Sequence, residues 1–294
     1  MARAGDFDPR VLKLFDGYVH GTVSRRQFID QAAAFTVSGA AILASLSPDY
    51  ARAQQVDPDD SSISVSYKKY ASPKGGGEMR GYFARPAVID HKLAGVVVVH
   101  ENRGLNPYVE DVVRRLAMAG FIAFGPDALW PLGGYPGNDD EGRIMQRERD
   151  GAKMVEDFVA AVELLQNHPD SNGSVGSVGF CFGGGMSMRL AVQIADLDAA
   201  VAFYGRHPSA EDTASIKAPL MLHHAGLDER VNAGWPDFEK ALKANDLDYT
   251  NYVYPDVNHG FHNDTTPRFD EESAALAWQR TIDHFNNHLM TGAS

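Results

Sequence analysis

One cysteine, Cys181, stands in 294 residues. That excludes an internal disulfide and a cluster of thiolate metal ligands. Basic residues are in deficit, with 27 Lys and Arg against 39 Asp and Glu and a net charge of −12. Such a surface repels a phosphate backbone, so no nucleic-acid partner is expected. The longest Ala-rich stretch, residues 32–46, is interrupted by Thr36, Ser38 and Ser45, and falls short of the ~20 apolar residues that span a bilayer. Internal repeats and low-complexity tracts are missing. The glycines form no phosphate-binding loop, since no lysine follows them. They form no dinucleotide fingerprint either, because Met188 stands where the third glycine would follow Gly183 and Gly185. His223 and His224 are adjacent on an expected strand and so point to opposite faces. With no His-Glu-x-x-His pattern, neither a metal nor another cofactor is expected.

What is present is a globular composition, 44% hydrophobic and 10% aromatic, enough for a sizeable core. Residues 54–62 are polar and acidic and read as a linker. Ile63 to Tyr70 and Met79 to Arg85 predict two strands joined by a Gly-rich turn. The four valines 96–99 predict a strand buried on both faces. Helices over 107–118 and 141–167 alternate with strands over 121–124 and 175–180. A helix over 184–194, strands over 200–204, 220–224 and 249–254, and helices over 235–244 and 271–289 complete the pattern. The order implies an α/β fold with a mainly parallel sheet covered by helices on both faces. In such sheets ligands sit beyond the carboxyl ends of the strands.

At one such end lies Gly179-Phe180-Cys181-Phe182-Gly183. It has the form of a strand–turn–helix elbow that lifts a nucleophile above the sheet. A helix N-terminus there favours a thiolate. Asp228 and His259 follow in the chain order such a site requires, each just past a strand. Each also has a plain alternative: a buried apolar cysteine, a capping aspartate, a solvated histidine. Together they predict Cys181 as nucleophile, His259 as base and Asp228 as the group orienting it.

Residues 179–184 (Gly-Phe-Cys-Phe-Gly-Gly), 224–228 (His-Ala-Gly-Leu-Asp), 258–261 (Asn-His-Gly-Phe) and 100–105 (His-Glu-Asn-Arg-Gly-Leu) resemble the dienelactone hydrolase family, a branch of the α/β-hydrolases. The resemblance spans about Ile63 to Leu289 and implies a Cys181–His259–Asp228 triad. It further implies that Glu101 contacts the resting thiol, and that the Phe182 and Asn102 amides form the oxyanion hole. The family's carboxylate-binding arginines have no counterpart after His259 or near Trp130. Arg103 and Arg206 are candidates for that charge, and Trp130, Tyr135 and Tyr204 for an apolar wall. The expected activity is hydrolysis of small-molecule esters or lactones, of the carboxymethylenebutenolidase type. A non-catalytic exported binding protein on the same fold is the alternative.

The first 53 residues read differently. Arg25-Arg26 followed by Phe28-Ile29, the apolar residues 32–46 and Ala51-Arg52-Ala53 resemble a twin-arginine export signal. The resemblance implies handling by the twin-arginine machinery, cleavage after Ala53 and a periplasmic hydrolase domain over 63–294 without stable membrane insertion. The alternatives are an amphipathic helix packed on the domain and a membrane anchor.

Overall fold

The structure is a computed structural model that describes residues 3–36 and 38–290. Val37, within the expected export signal, and residues 1–2 and 291–294, at the edges of the two expected segments, lie outside the described residues.

Residues 3–36 and 38–53 form helices that touch later parts of the chain. Three helices, α1 (Pro9–Val19), α2 (Arg25–Ala32) and α3 (Gly39–Leu46), make an arm with its own apolar cluster around Phe15, Phe28, Leu43 and Leu46. Local start signals explain the breaks. The Asp8 side chain accepts from Arg10 N with Pro9 at the first position, Ser24 and Gln27 form a reciprocal cap, and Ser38 caps α3. The apolar stretch 32–46 is thereby split, and among the described residues no helix is long and apolar enough to cross a membrane. Ala53, the expected cleavage position, is buried against the main core.

The chain then forms β1 (Ile63–Ser72), β2 (Gly77–Pro86), β3 (Leu93–Val99), α4 (Pro107–Met118), β4 (Ile122–Pro126), α5 (Asp139–Glu148) and α6 (Gly151–Gln166). There follow β5 (Ser171–Phe180), α7 (Phe182–Gln193), β6 (Ala199–Phe203), α8 (Ala210–Thr213) and β7 (Leu220–Ala225). Last come α9 (Glu229–Asn232), α10 (Trp235–Ala244), β8 (Tyr249–Tyr254) and α11 (Glu271–Leu289). The single helix expected over 141–167 is two helices, because the Asp150 side chain accepts from Ala152 N and Lys153 N and starts α6 afresh.

Eight strands make one sheet in the order β1-β2-β4-β3-β5-β6-β7-β8. β1, β2 and β4 pair antiparallel, and every pair from β4–β3 to β7–β8 is parallel. Two apolar clusters, one on each face, sandwich the sheet. The sheet is thus an α/β sheet with helices on both faces, as the alternating pattern implies. From β3 the chain steps outward to β4, then returns to place β5 on the other side. The crevice beyond the ends of β3 and β5 is the switch point of the topology. Val99 and Phe180 end those two strands, so His100–Asn102 and Cys181 face each other there.

Candidate active site

Cys181 takes φ 58° and ψ −112° between β5 and α7. For a residue with a Cβ that conformation costs about 1–3 kcal/mol and must be imposed by its surroundings. Two glycines impose it. A Cβ on Gly179 would stand 1.9 Å from the carbonyl oxygen of Gly183, and one on Gly183 would stand 2.2 Å from that of Val99. With both absent, α7 begins against β3 and the sulfur rises over the sheet edge. The amides of Gly184 and Gly185 bond the Cys181 carbonyl at 3.1 and 3.3 Å. The Phe182 and Asn102 amides find no backbone acceptor among the described residues, which leaves two donors free in the crevice.

The three expected residues converge. Asp228 caps α9, its Oδ1 accepting from Val231 N at 3.1 Å, while its Oδ2 lies 2.5 Å from His259 Nδ1. A carboxylate accepts, so Nδ1 carries a proton and Nε2 is the exchangeable nitrogen. That Nε2 is buried with no hydrogen-bond partner among the described residues. Cys181 is 7% exposed, and Asp228 and His259 are 5% each. Burial pushes the thiol up, but the charges of His259 and His20 outweigh it and hold the thiol well below its ordinary value. Burial likewise pushes the His259 imidazole down, and the sulfur and the Asp228 carboxylate reverse that, holding it above its ordinary value. Both shifts favour a thiolate beside an imidazolium.

His20, from the arm, was not foreseen. Its Nε2 lies 3.4 Å from Cys181 Sγ, and the donor atoms of His20, Cys181 and His259 all lie within 4.8 Å of one another. Three side chains able to hold or pass a proton therefore meet at one point. A fixed cation already stands there, since Arg230 Nη2 is 3.0 Å from His20 Nε2 and 3.2 Å from His259 Nδ1. Arginine only donates, so its approach to the protonated Nδ1 of His259 is packing beside Asp228, 4.0 Å away. Arg230 lies two residues past Asp228, and its position was the one signal that could have marked it. For His20 the signal was the length of chain ahead of the arginine pair, with an Asp16–His20 pair one helical turn apart.

Other expected residues lie elsewhere. Glu101 is buried, accepts from Asn263 Nδ2 at 3.0 Å and lies 3.6 Å from Arg103. The sulfur's hydrogen-bond partner is His20 in its stead. Arg103 is itself buried, 2.7 Å from Asp139, and does not line the cavity at Cys181. Two carboxylates hold it, away from that cavity. Trp130 sits under the guanidinium of Arg80, packed against the opposite apolar cluster, because the short helical turn after β4 leads away from the switch point. Tyr135 donates to Asp139 at 3.0 Å. Tyr204 does line the site, its ring centroid 4.8 Å from that of His259. The histidines weighed as metal ligands are engaged otherwise: His223 with Tyr254 and Thr281, His224 with Asn251 and His207, His262 with Tyr108.

A cavity of about 550 Å³ opens over the sulfur, lined by Phe182, Met186, Tyr204, Arg206, Pro208 and His20 among others. Arg206 has no ion-pair partner among the described residues and stands at its exposed edge.

Residues 79–289 match the family described as "Dienelactone hydrolase family", and residues 1–35 match one described as "YqhI-like". A protein of Escherichia coli named "Putative hydrolase fragment YghX" is 57% identical over 105 residues, 36% of this chain and 90% of its own. A protein of Saccharolobus solfataricus named "Putative carboxymethylenebutenolidase" is 29% identical, over 70% of this chain and 92% of its own. The crystal structure of "Putative Dienelactone Hydrolase" from Klebsiella pneumoniae superposes with a TM-score of 0.69 at 25% identity, covering 76% of this chain and all of that one.

Proposed function

The chain belongs to the dienelactone hydrolase family, and from that premise we propose that it hydrolyses carboxylic esters or lactones through a thioester on Cys181. The observation that carries this is the His259 ring, a nitrogen of which lies within 4.8 Å of the sulfur, with Nδ1 anchored 2.5 Å from Asp228 and Nε2 left without a partner. The thiolate attacks the acyl carbonyl, and the free amides of Phe182 and Asn102 take the developing oxyanion. His259 gives its Nε2 proton to the leaving oxygen. The neutral ring then takes a proton from water, which attacks the thioester and expels the sulfur.

The sulfur also narrows the substrate. A thiolate leaves more easily than an alkoxide, so the tetrahedral intermediate returns to reactants unless the substrate's own leaving group is good. Enol esters, strained lactones and aryl esters fit, and amides do not. The test is turnover of an activated aryl ester by the full chain and by Cys181→Ala. Loss of turnover in the variant is expected, and full activity there would remove the nucleophile.

Export is a separate proposal, resting on Arg25-Arg26 and the apolar residues behind them. A cut after Ala53 would take His20 away from Cys181, so the arm is proposed to stay. N-terminal sequencing of periplasmic protein decides it: a start near Gln54 contradicts retention, and a start ahead of Asp16 supports it.

A further inference from the structure

We propose that the N-terminal arm is a working part of the active site, in which His20 is a second imidazole partner of the Cys181 sulfur and shares the thiol proton with His259. This rests on the reading of Cys181 as nucleophile. His20 Nε2 lies 3.4 Å from the sulfur, within hydrogen-bond reach. On the other side of the ring, Nδ1 lies 2.8 Å from the main-chain oxygen of Asp16 and 3.2 Å from its Oδ1. A carbonyl only accepts, so Nδ1 holds a proton and Nε2 is the exchangeable position facing the sulfur. The ring also stands edge-on to His259, with centroids 4.8 Å apart. Each imidazole therefore has an acid behind it and the same sulfur in front.

Four titratable or charged groups face His20: Asp16 from α1, Arg230 from α9, Cys181 at the head of α7, and His259 from the loop after β8. Arg230 Nη2, 3.0 Å from Nε2, suits an unprotonated nitrogen. With the shared proton on His259 Nε2, its passage to the sulfur breaks that N–H bond and forms S–H; when His20 Nε2 takes it, the S–H bond breaks, an N–H bond forms, and the thiolate stands beside the His20 imidazolium. Arg230 keeps Asp16 Oδ2 at 3.4 Å and Asp228 Oδ2 at 4.0 Å as partners. The arm is tied at this point. Asn102 Nδ2 donates to the Val19 carbonyl at 2.9 Å, and Lys13 lies 3.0 Å from Glu229.

The test is the rate of alkylation of Cys181 by iodoacetamide in the full chain across pH, read at the only cysteine present. His20→Gln is expected to raise the midpoint by about one unit, slowing alkylation roughly 10-fold below both midpoints. The high-pH plateau should then rise about 3-fold, because a more basic thiolate is a better nucleophile. A purely structural role would not produce that crossing. Asp16→Asn, which leaves the sulfur's contact in place, should shift the midpoint the same way by less. His20→Asn carries the same readout if the glutamine variant folds poorly. Midpoints unchanged in variants that melt as the wild type does would overturn the proposal. Alkylation reports the sulfur and not turnover. A Cys181→Ala protein that still hydrolyses ester sinks the nucleophile and leaves a midpoint shift standing, and the reverse result sinks His20 alone.

Discussion

Asp228 Oδ2 lies 2.5 Å from Nδ1 of His259, while the other oxygen of the same carboxylate closes the first turn of α9 on Val231 N. One side chain therefore has a structural task and, in the proposed reaction, a chemical one, and a substitution can separate them. Asparagine caps a helix as well as aspartate does but cannot stabilise an imidazolium. Asp228→Asn is expected to lower kcat by on the order of 10²–10⁴ while stability stays within about 1 kcal/mol. Steady-state kinetics beside a denaturant melt checks both halves.

The pH profile follows from the two opposed shifts. The thiol is held below its ordinary value and the His259 imidazole above its own. Between those two values the thiolate and imidazolium coexist. Activity towards an activated ester should fall on the acid side as the sulfur is protonated. It should fall on the alkaline side as His259 loses the proton it gives to the leaving group. A plateau through neutrality in kcat/KM is expected. A rise of about tenfold per pH unit up to the ordinary thiol value of ~8.5 would contradict the resting ion pair.

Gly183→Ala would place a methyl group 2.2 Å from the Val99 carbonyl oxygen, and 2.7 Å from that of His100. Backbone, not a flexible side chain, stands in the way on both sides. A loss of roughly 3 kcal/mol or more is expected, with the elbow displaced. A urea melt reads the loss, and an unchanged midpoint would mean that α7 does not need this close approach.

Arg103→Ala separates an internal ion pair from a substrate anchor. The buried guanidinium lies 2.7 Å from Asp139 and 3.6 Å from Glu101. Its removal strands two carboxylates, which costs about 3–5 kcal/mol. The expected signature is a large drop in melting temperature. A raised KM at wild-type stability would instead return Arg103 to the substrate.

The parts of this site that were legible in sequence are those fixed by local rules. Gly179 and Gly183 announce the elbow, and Asp228 and His259 each follow a strand, so chain order alone brings them to one edge. The parts that were not legible depend on packing between distant segments. His20 reaches Cys181 across 161 residues, and nothing periodic in residues 1–53 says where α1 will lie. The arm was readable as an export signal because paired arginines and an alanine-rich run are local. The capping by Ser24 and Ser38 that divides residues 25–46 into two helices is equally local. Glu101 and Arg103 sit at the expected strand end. Their partners, Asn263 and Asp139, come from segments far along the chain and decide what the pair does.

The most direct test of the nucleophile is to quench the full chain with acid during turnover of an activated aryl ester and map the adduct by peptide mass spectrometry. The account predicts one acyl group, on the peptide carrying Cys181, that builds up when His259→Gln slows hydrolysis of the thioester. Turnover with no acyl adduct on that peptide in either protein, or with the adduct on another residue, would contradict it.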